Sequence, residues 1–357
     1  MSVTPPVTPS RAFDAYQSFV LATKLYWTHT LYPELKHEYT RRAANAASPP
    51  TSAEDVNELF EDDLEYAFFA WFERHLQQMK YSGQHGLVPH HDVSRAELEA
   101  WLNAPLPEGL LSLDPDFEAP EYFTRVDIHQ HPGGVCGDSL AGVVYERGAR
   151  STTPLLSRDL DLHHRFVDEV RTHHTPRRII DLGCGFGKST QPFCTELPDA
   201  EILGIDLSVP CLKLAAVTAA LSQTHNVRFR QGRAEATGEP DGCTDLVTST
   251  MMLHEMPPRA IREVAKESYR LLEPDGWAIH LDFLADDDPF ARFIHYGHAR
   301  RNNEPYMRPL NEMDLMSLHE EVGFSHFEIR SFEEFPGACA PENIGWRFPW
   351  VVVAARK

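Results

Sequence analysis

The sequence predicts an α/β protein. A seven-stranded, mostly parallel sheet with helices on both faces is preceded by an α-helical extension. Two observations predict it. From about residue 157, strand-like and helix-like patterns alternate, as in a parallel sheet wound on both sides. Before residue 150, apolar residues recur at helical spacing instead. The 357 residues are enough for two units, divided here as 1–150 and 151–357.

The first unit opens with a helical pattern over Arg11 to Ala47, marked by Phe13, Val20, Leu31 and Leu35. Pro33 is expected to break or kink it, since proline lacks an N–H and crowds the preceding turn. Thr51-Ser52 offers an N-cap, with Glu54 and Asp55 in the first turn of a second helix reaching about Lys80. Its run Tyr66 to Phe72 is too aromatic all round for a one-sided surface helix. Core packing is the expected role, with a pocket wall or a homodimer contact as alternatives. A shorter helix covers Ser94 to Leu102. Residues 104–156 are rich in proline and then glycine, and read as loops and short strands.

The second unit begins with a helix from Arg158 to His173, placing Leu160, Phe166, Val167 and Val170 inward. Strands follow at Arg178–Leu182, Glu201–Asp206, Val227–Gln231, Thr244–Thr248 and Trp277–Phe283. Helices between them cover Lys188–Glu196, Pro210–Ser222 and Pro258–Leu272. The tail adds a helix near Asn311–Val322. Two strands, Ser325–Ser331 and Trp346–Ala355, are joined by a loop without helical pattern, so they are expected to pair antiparallel.

Charge narrows the partners. The net charge of −20, from 33 basic and 53 acidic residues, argues against nucleic acid, whose affinity comes from phosphate neutralisation. It also argues against an anionic membrane surface. No apolar run approaches the ~18 residues of a membrane span. Met1 to Ser10 lacks a signal pattern. The six cysteines have no zinc-site spacing and read as free thiols of a reducing compartment, the cytoplasm. The adjacent histidine pairs cannot share a helix face, and no metal site is expected.

The strongest local signal is Ile179-Ile-Asp-Leu-Gly183-Cys-Gly185-Phe-Gly187-Lys-Ser-Thr190, between a strand and a helix. Glycines there allow a tight turn and close approach of a ligand to the backbone. A phosphate-binding loop would need its first glycine at Leu182, and a dinucleotide fingerprint its third at Lys188. What remains is Asp-x-Gly-x-Gly-x-Gly, filled at every position. A second carboxylate, Asp206, ends the next strand.

Asp181-Leu-Gly-Cys-Gly-Phe-Gly187 with Asp206 resembles the first motifs of the class I S-adenosylmethionine-dependent methyltransferases. The resemblance implies a Rossmann-like sheet and S-adenosylmethionine as cofactor, leaving as S-adenosylhomocysteine. It places Gly183, Cys184, Gly185 and Gly187 under the methionine and ribose. Asp181 would organise the loop or meet the ammonium group. Asp206 would accept from the ribose hydroxyls and Leu207 lie against the adenine. Where the family often has Gly-Asp-Ala-Glu, this chain has Gly232-Arg-Ala-Glu235. Arg233 cannot accept a hydrogen bond, so the adenine contact falls to Glu235 or to backbone, with the Ala234 amide meeting the ring. Thr250 completes the cofactor set.

His254, in Ser249-Thr-Met-Met-Leu-His254-Glu, is the catalytic candidate, as general base or acceptor-orienting group. A structural hydrogen bond beside the cofactor is the alternative. The resemblance implies acceptor-binding residues before the glycine loop, with Tyr145 chosen. It implies others in the insertion Phe290–Leu310, with His295, Arg301, Asn302 and Tyr306 chosen. A basic, amide-rich patch there could hold an acceptor carboxylate or phosphate. The expected function is methyl transfer to a small metabolite of natural-product type. A protein methyltransferase, or a cofactor-binding protein that does not methylate, are the rivals.

Overall fold

A computed structural model describes residues 5–150 and 161–357. The expected helix start at Arg158, with Leu160, lies outside the described residues. In the extension, helix α1 (Arg11–Tyr26) runs through a single π turn (Trp27–Leu31) into α2 (Tyr32–Asn45). Pro33 therefore does not break the chain. It falls in the first turn of α2, where its missing N–H costs least, and the wide π turn takes up the clash.

The expected helix from Ser52 to Lys80 is two helices, α3 (Ala53–Leu59) and α4 (Leu64–Tyr81). Ser52 and Asp55 cap α3 reciprocally, and Asp63 caps α4 through the Tyr66 amide. Asp62, at φ +60°, makes the turn between them. The aromatic run divides: Phe69 is buried, whereas Phe68 and Trp71 are 48% and 52% exposed. Further helices are α5 (Leu87–Asp92), α6 (Arg95–Leu102), the single turn α7 (Glu121–Thr124) and α8 (Ala141–Ala149). The stretch read as loop thus contains α8, packed so closely on the later domain that a Cβ on Gly142 would lie 2.4 Å from the Pro210 carbonyl oxygen.

The sheet has eight strands among the described residues, not seven. They are β1 (Leu111–Ser112), β2 (Arg178–Leu182), β3 (Glu201–Asp206), β4 (Val227–Gln231), β5 (Thr244–Thr250), β6 (Leu272–Phe283), β7 (His326–Ser331) and β8 (Trp350–Arg356). Their order is β1-β4-β3-β2-β5-β6-β8-β7. The added strand comes from the extension and pairs parallel with β4. Two residues carry no period, so no sequence pattern announces it. β8 pairs antiparallel with both β6 and β7, as expected.

Helices α9 (Asp161–His173), α10 (Thr190–Glu196), α11 (Val209–Leu221), α12 (Pro258–Leu271), α13 (Pro289–Asn302), α14 (Met307–Asn311) and α15 (Leu315–Val322) complete the chain. One apolar core joins both halves: Trp27 and Phe69 of the extension cluster with Phe290, Phe293 and Trp346. Strand order reverses at β2, which lies between β3 and β5. In open α/β sheets that reversal leaves a crevice at the strand C-termini, where ligands bind.

Candidate functional site

The main cavity, of about 200 Å³, opens at those strand ends. One half lies over β2, β3 and β4. Gly183, Gly185 and Gly187 all have positive φ, of +66°, +52° and +81°. The Gly183 and Cys184 amides both donate to Ile205 O, at 2.8 and 3.1 Å, tying the loop to the end of β3. The Gly185 amide donates to Asp206 Oδ2 at 2.8 Å, and the Ser208 amide to Oδ1 at 2.7 Å. The Asp206 carboxylate is thus aimed by two backbone bonds. Burial raises it to about 6, against those bonds.

Gly183, Cys184, Gly185, Asp206, Leu207, Ala234, Glu235 and Thr250 all line this cavity. Asp181 and Gly187 do not. Asp181 lies beneath the loop, where Thr190 Oγ1 donates to its Oδ2 at 2.6 Å. Burial holds its carboxyl at about 7. Gly187 packs against Ala215, whose Cβ would lie 3.2 Å from an added Cβ. Arg233 turns away to the Glu118 carbonyl at 2.6 Å. Glu235 accepts from the Tyr122 hydroxyl at 2.7 Å, and its other oxygen is buried without a partner. Tyr122, in α7, has no sequence signal.

The other half lies over β5, β6 and β8 and is roofed by the extension. His254 is buried, with Nδ1 2.6 Å from Asp282 Oδ1 at the end of β6. Asp282 is itself held by the amides of Leu253 and Phe283, each at 2.8 Å. Burial works against the imidazolium, but the Asp282 carboxylate outweighs it and raises His254 above its usual value. His254 Nε2 faces Glu304 Oε2 at 3.9 Å.

Glu304, absent from the expected set, collects three imidazoles. His129 Nδ1 lies 3.0 Å from it, His298 Nε2 3.8 Å and His254 Nε2 3.9 Å. His129 also meets Glu255 at 3.1 Å, and the two carboxylates overcome burial to raise it to about 9. It comes from the extension, on consecutive non-glycine residues at positive φ, His129 at +56° and Gln130 at +58°. Such strain collects at functional sites. His298 Nδ1 meets Glu73 of α4 at 2.5 Å.

Tyr145 lines the cavity, its ring stacked on His129 with centroids 5.8 Å apart. Asn302 lines it too, while donating to Glu73 at 3.1 Å. His295, Arg301 and Tyr306 are not brought to it. Arg301 is buried on Glu73, and Arg308 pairs with Glu54 and Glu312 at 2.9 and 2.7 Å. The basic patch read in Phe290–Leu310 is therefore spent largely on carboxylates of this same chain. Among the described residues, no cluster of three or more His, Cys, Asp or Glu is arranged to hold a metal ion.

Comparison with known proteins adds four findings. A family model described as a methyltransferase domain matches residues 179–276. The ubiquinone biosynthesis O-methyltransferase of Paracidovorax citrulli (strain AAC00-1) is 33% identical over 167 residues, 45% of this chain and 68% of that protein. The uncharacterized methyltransferase YcgJ of Bacillus subtilis (strain 168) is 31% identical over 140 residues, 38% of this chain. This chain spans only 51% of the YcgJ length. A solved SAM-dependent methyltransferase from Archaeoglobus fulgidus superposes with a TM-score of 0.43 at 17% identity, covering 60% of this chain and 99% of that one.

Proposed function

The chain belongs to the class I S-adenosylmethionine-dependent methyltransferases, and from that premise we propose that it methylates a small metabolite of natural-product type. The observation that carries the reading is the continuity of one cavity. Its wall runs from the glycine loop and Asp206 to His254, under residues of the extension. A roofed cavity suits a small acceptor better than a protein surface.

The residues present fit the cofactor. A Cβ on Gly185 would meet nothing within 4 Å, so the backbone there faces open space. Asp206 presents a carboxylate suited to two ribose hydroxyls, and Glu235 has an unpartnered buried oxygen for the adenine edge. S-adenosylmethionine, when bound, supplies a methyl group already activated by its sulfonium charge. The protein's task is then to hold the acceptor in line, exclude water and manage one proton.

In this reading His254 takes that proton. Asp282 accepts a hydrogen bond from Nδ1–H and so fixes the tautomer, leaving the Nε2 lone pair toward the cavity. Glu304, which the neighbouring imidazoles hold at about 2 against its burial, stays ionised and favours the imidazolium that results. The six free cysteines support a reducing, cytoplasmic setting. No helix among the described residues is long and apolar enough to cross a membrane.

The test is incubation with methyl-labelled cofactor and either a small-molecule extract or a protein lysate. Label in small molecules alone is expected. Label in protein alone, or in neither with cofactor bound, overturns the proposal.

A further inference from the structure

We infer that the acceptor carries a carboxylate, and that Lys24 binds it where the main cavity meets a side chamber in the helical extension. The inference rests on the methyl-transfer reading above and names its substrate class.

Lys24 lines both spaces, together with Gln77, His298 and Asn302. Among the described residues no hydrogen bond reaches its amine and no carboxylate lies within 4.0 Å. The two carboxylates that attract it from a distance are already engaged. Glu73 holds Arg301, His298 and Asn302, and Glu304 holds His129. Lys80, almost fully buried, lines the side chamber too, but burial and the neighbouring Lys24 push its amine well below the usual lysine value, which leaves Lys24 as the cation. Burial lowers the Lys24 amine to about 8, as expected of a cation short of a close partner. Lys24 is partly exposed, so its ammonium, without a close partner in the cavity wall, is open to a ligand that brings the counter-charge.

Size and charge select the ligand group. The side chamber, about 20 Å³, has room for one or two water-sized groups, the scale of carboxylate oxygens. One amine neutralises one charge. A doubly charged phosphate would face Glu73 and Glu304 with its excess. The same half of the cavity presents Leu162, Phe283, Phe348 and Trp350, which suit an apolar or aromatic body. The anion site expected from Arg301 and its neighbours is thus displaced to α1, because Arg301 is consumed by Glu73.

The experiment is calorimetric titration of the protein saturated with S-adenosylhomocysteine. The probes are 4-hydroxybenzoate, its methyl ester and tyramine, against wild type, Lys24→Met and Lys24→Arg. Wild type is expected to bind the acid about tenfold or more tightly than the ester, the scale of one charge-assisted bond. Lys24→Arg keeps that preference and Lys24→Met loses it. Equal binding of acid and ester, binding of neither, a preference for tyramine, or a preference surviving in Lys24→Met overturns the inference. Failure of S-adenosylhomocysteine itself to bind would instead strike the reading beneath.

Discussion

His254 Nδ1 and Asp282 Oδ1 lie 2.6 Å apart, joining the segment after β5 to the end of β6 in a buried pair. A base so oriented should matter to turnover and little to cofactor binding. His254→Ala is expected to lower kcat by about 10²–10⁴, the usual range for a general base, with S-adenosylhomocysteine affinity unchanged.

The same pair sets a pH dependence. Asp282 raises His254, so the neutral, proton-accepting form gains population only above its usual titration range. Activity should rise with pH through that raised value. Asp282→Asn removes the charge, so the surviving activity should rise at lower pH. A pH profile of kcat for both proteins checks the shift.

Asp206 gives a second dependence of the same sign. Burial raises its carboxyl to about 6, and the ribose hydroxyls need the ionised form as acceptor. Cofactor affinity should hold above that value. Below it, affinity should fall by up to about tenfold per pH unit. Titrations of S-adenosylhomocysteine between pH 5 and pH 8 measure this directly.

Asp181 should act on stability instead. Its carboxyl sits at about 7 in the folded protein against 3.8 for an ordinary aspartate. The folded state therefore keeps a proton that the unfolded chain has lost. Its contribution is present at acid pH and disappears as pH rises through about 7. The ligand-free wild type should lose more Tm between pH 5 and pH 8 than Asp181→Asn does.

Two glycines of one loop should respond differently. At Gly187 the φ of +81° and the packing against Ala215 make alanine costly to the fold, by about 1–3 kcal/mol. At Gly185 an alanine Cβ meets nothing within 4 Å and enters the cavity. Gly185→Ala should keep most of the stability, losing about 1–2 kcal/mol of backbone preference, and lose cofactor affinity. Thermal melts beside calorimetry separate the two.

The second half of the chain was largely legible. β2 and β3 matched their apolar runs, because a parallel strand covered on both faces is largely apolar, and β4 matched the alternation of Val227 and Phe229 with Arg228 and Arg230. Asp206 and the glycine loop were legible because their spacing is local. The acceptor side was not. Glu304, His129 and Lys24 come to the wall of one cavity only when α1, the 128–130 turn and the end of α13 close over the sheet, across separations no window spans. Arg301 misled for the same reason: its partner Glu73 lies 228 residues away. The break between α3 and α4 turns on Asp62 and Asp63, two charged residues in an otherwise helical pattern.

The central claim is that the Asp206 half of the cavity holds S-adenosylmethionine. Calorimetric titration with S-adenosylmethionine and S-adenosylhomocysteine, for wild type and Asp206→Ala, tests it most directly. Micromolar binding of both by wild type, lost or strongly weakened in the variant, is the predicted result. A folded wild type that binds neither, or a variant that binds as tightly as wild type, would contradict it.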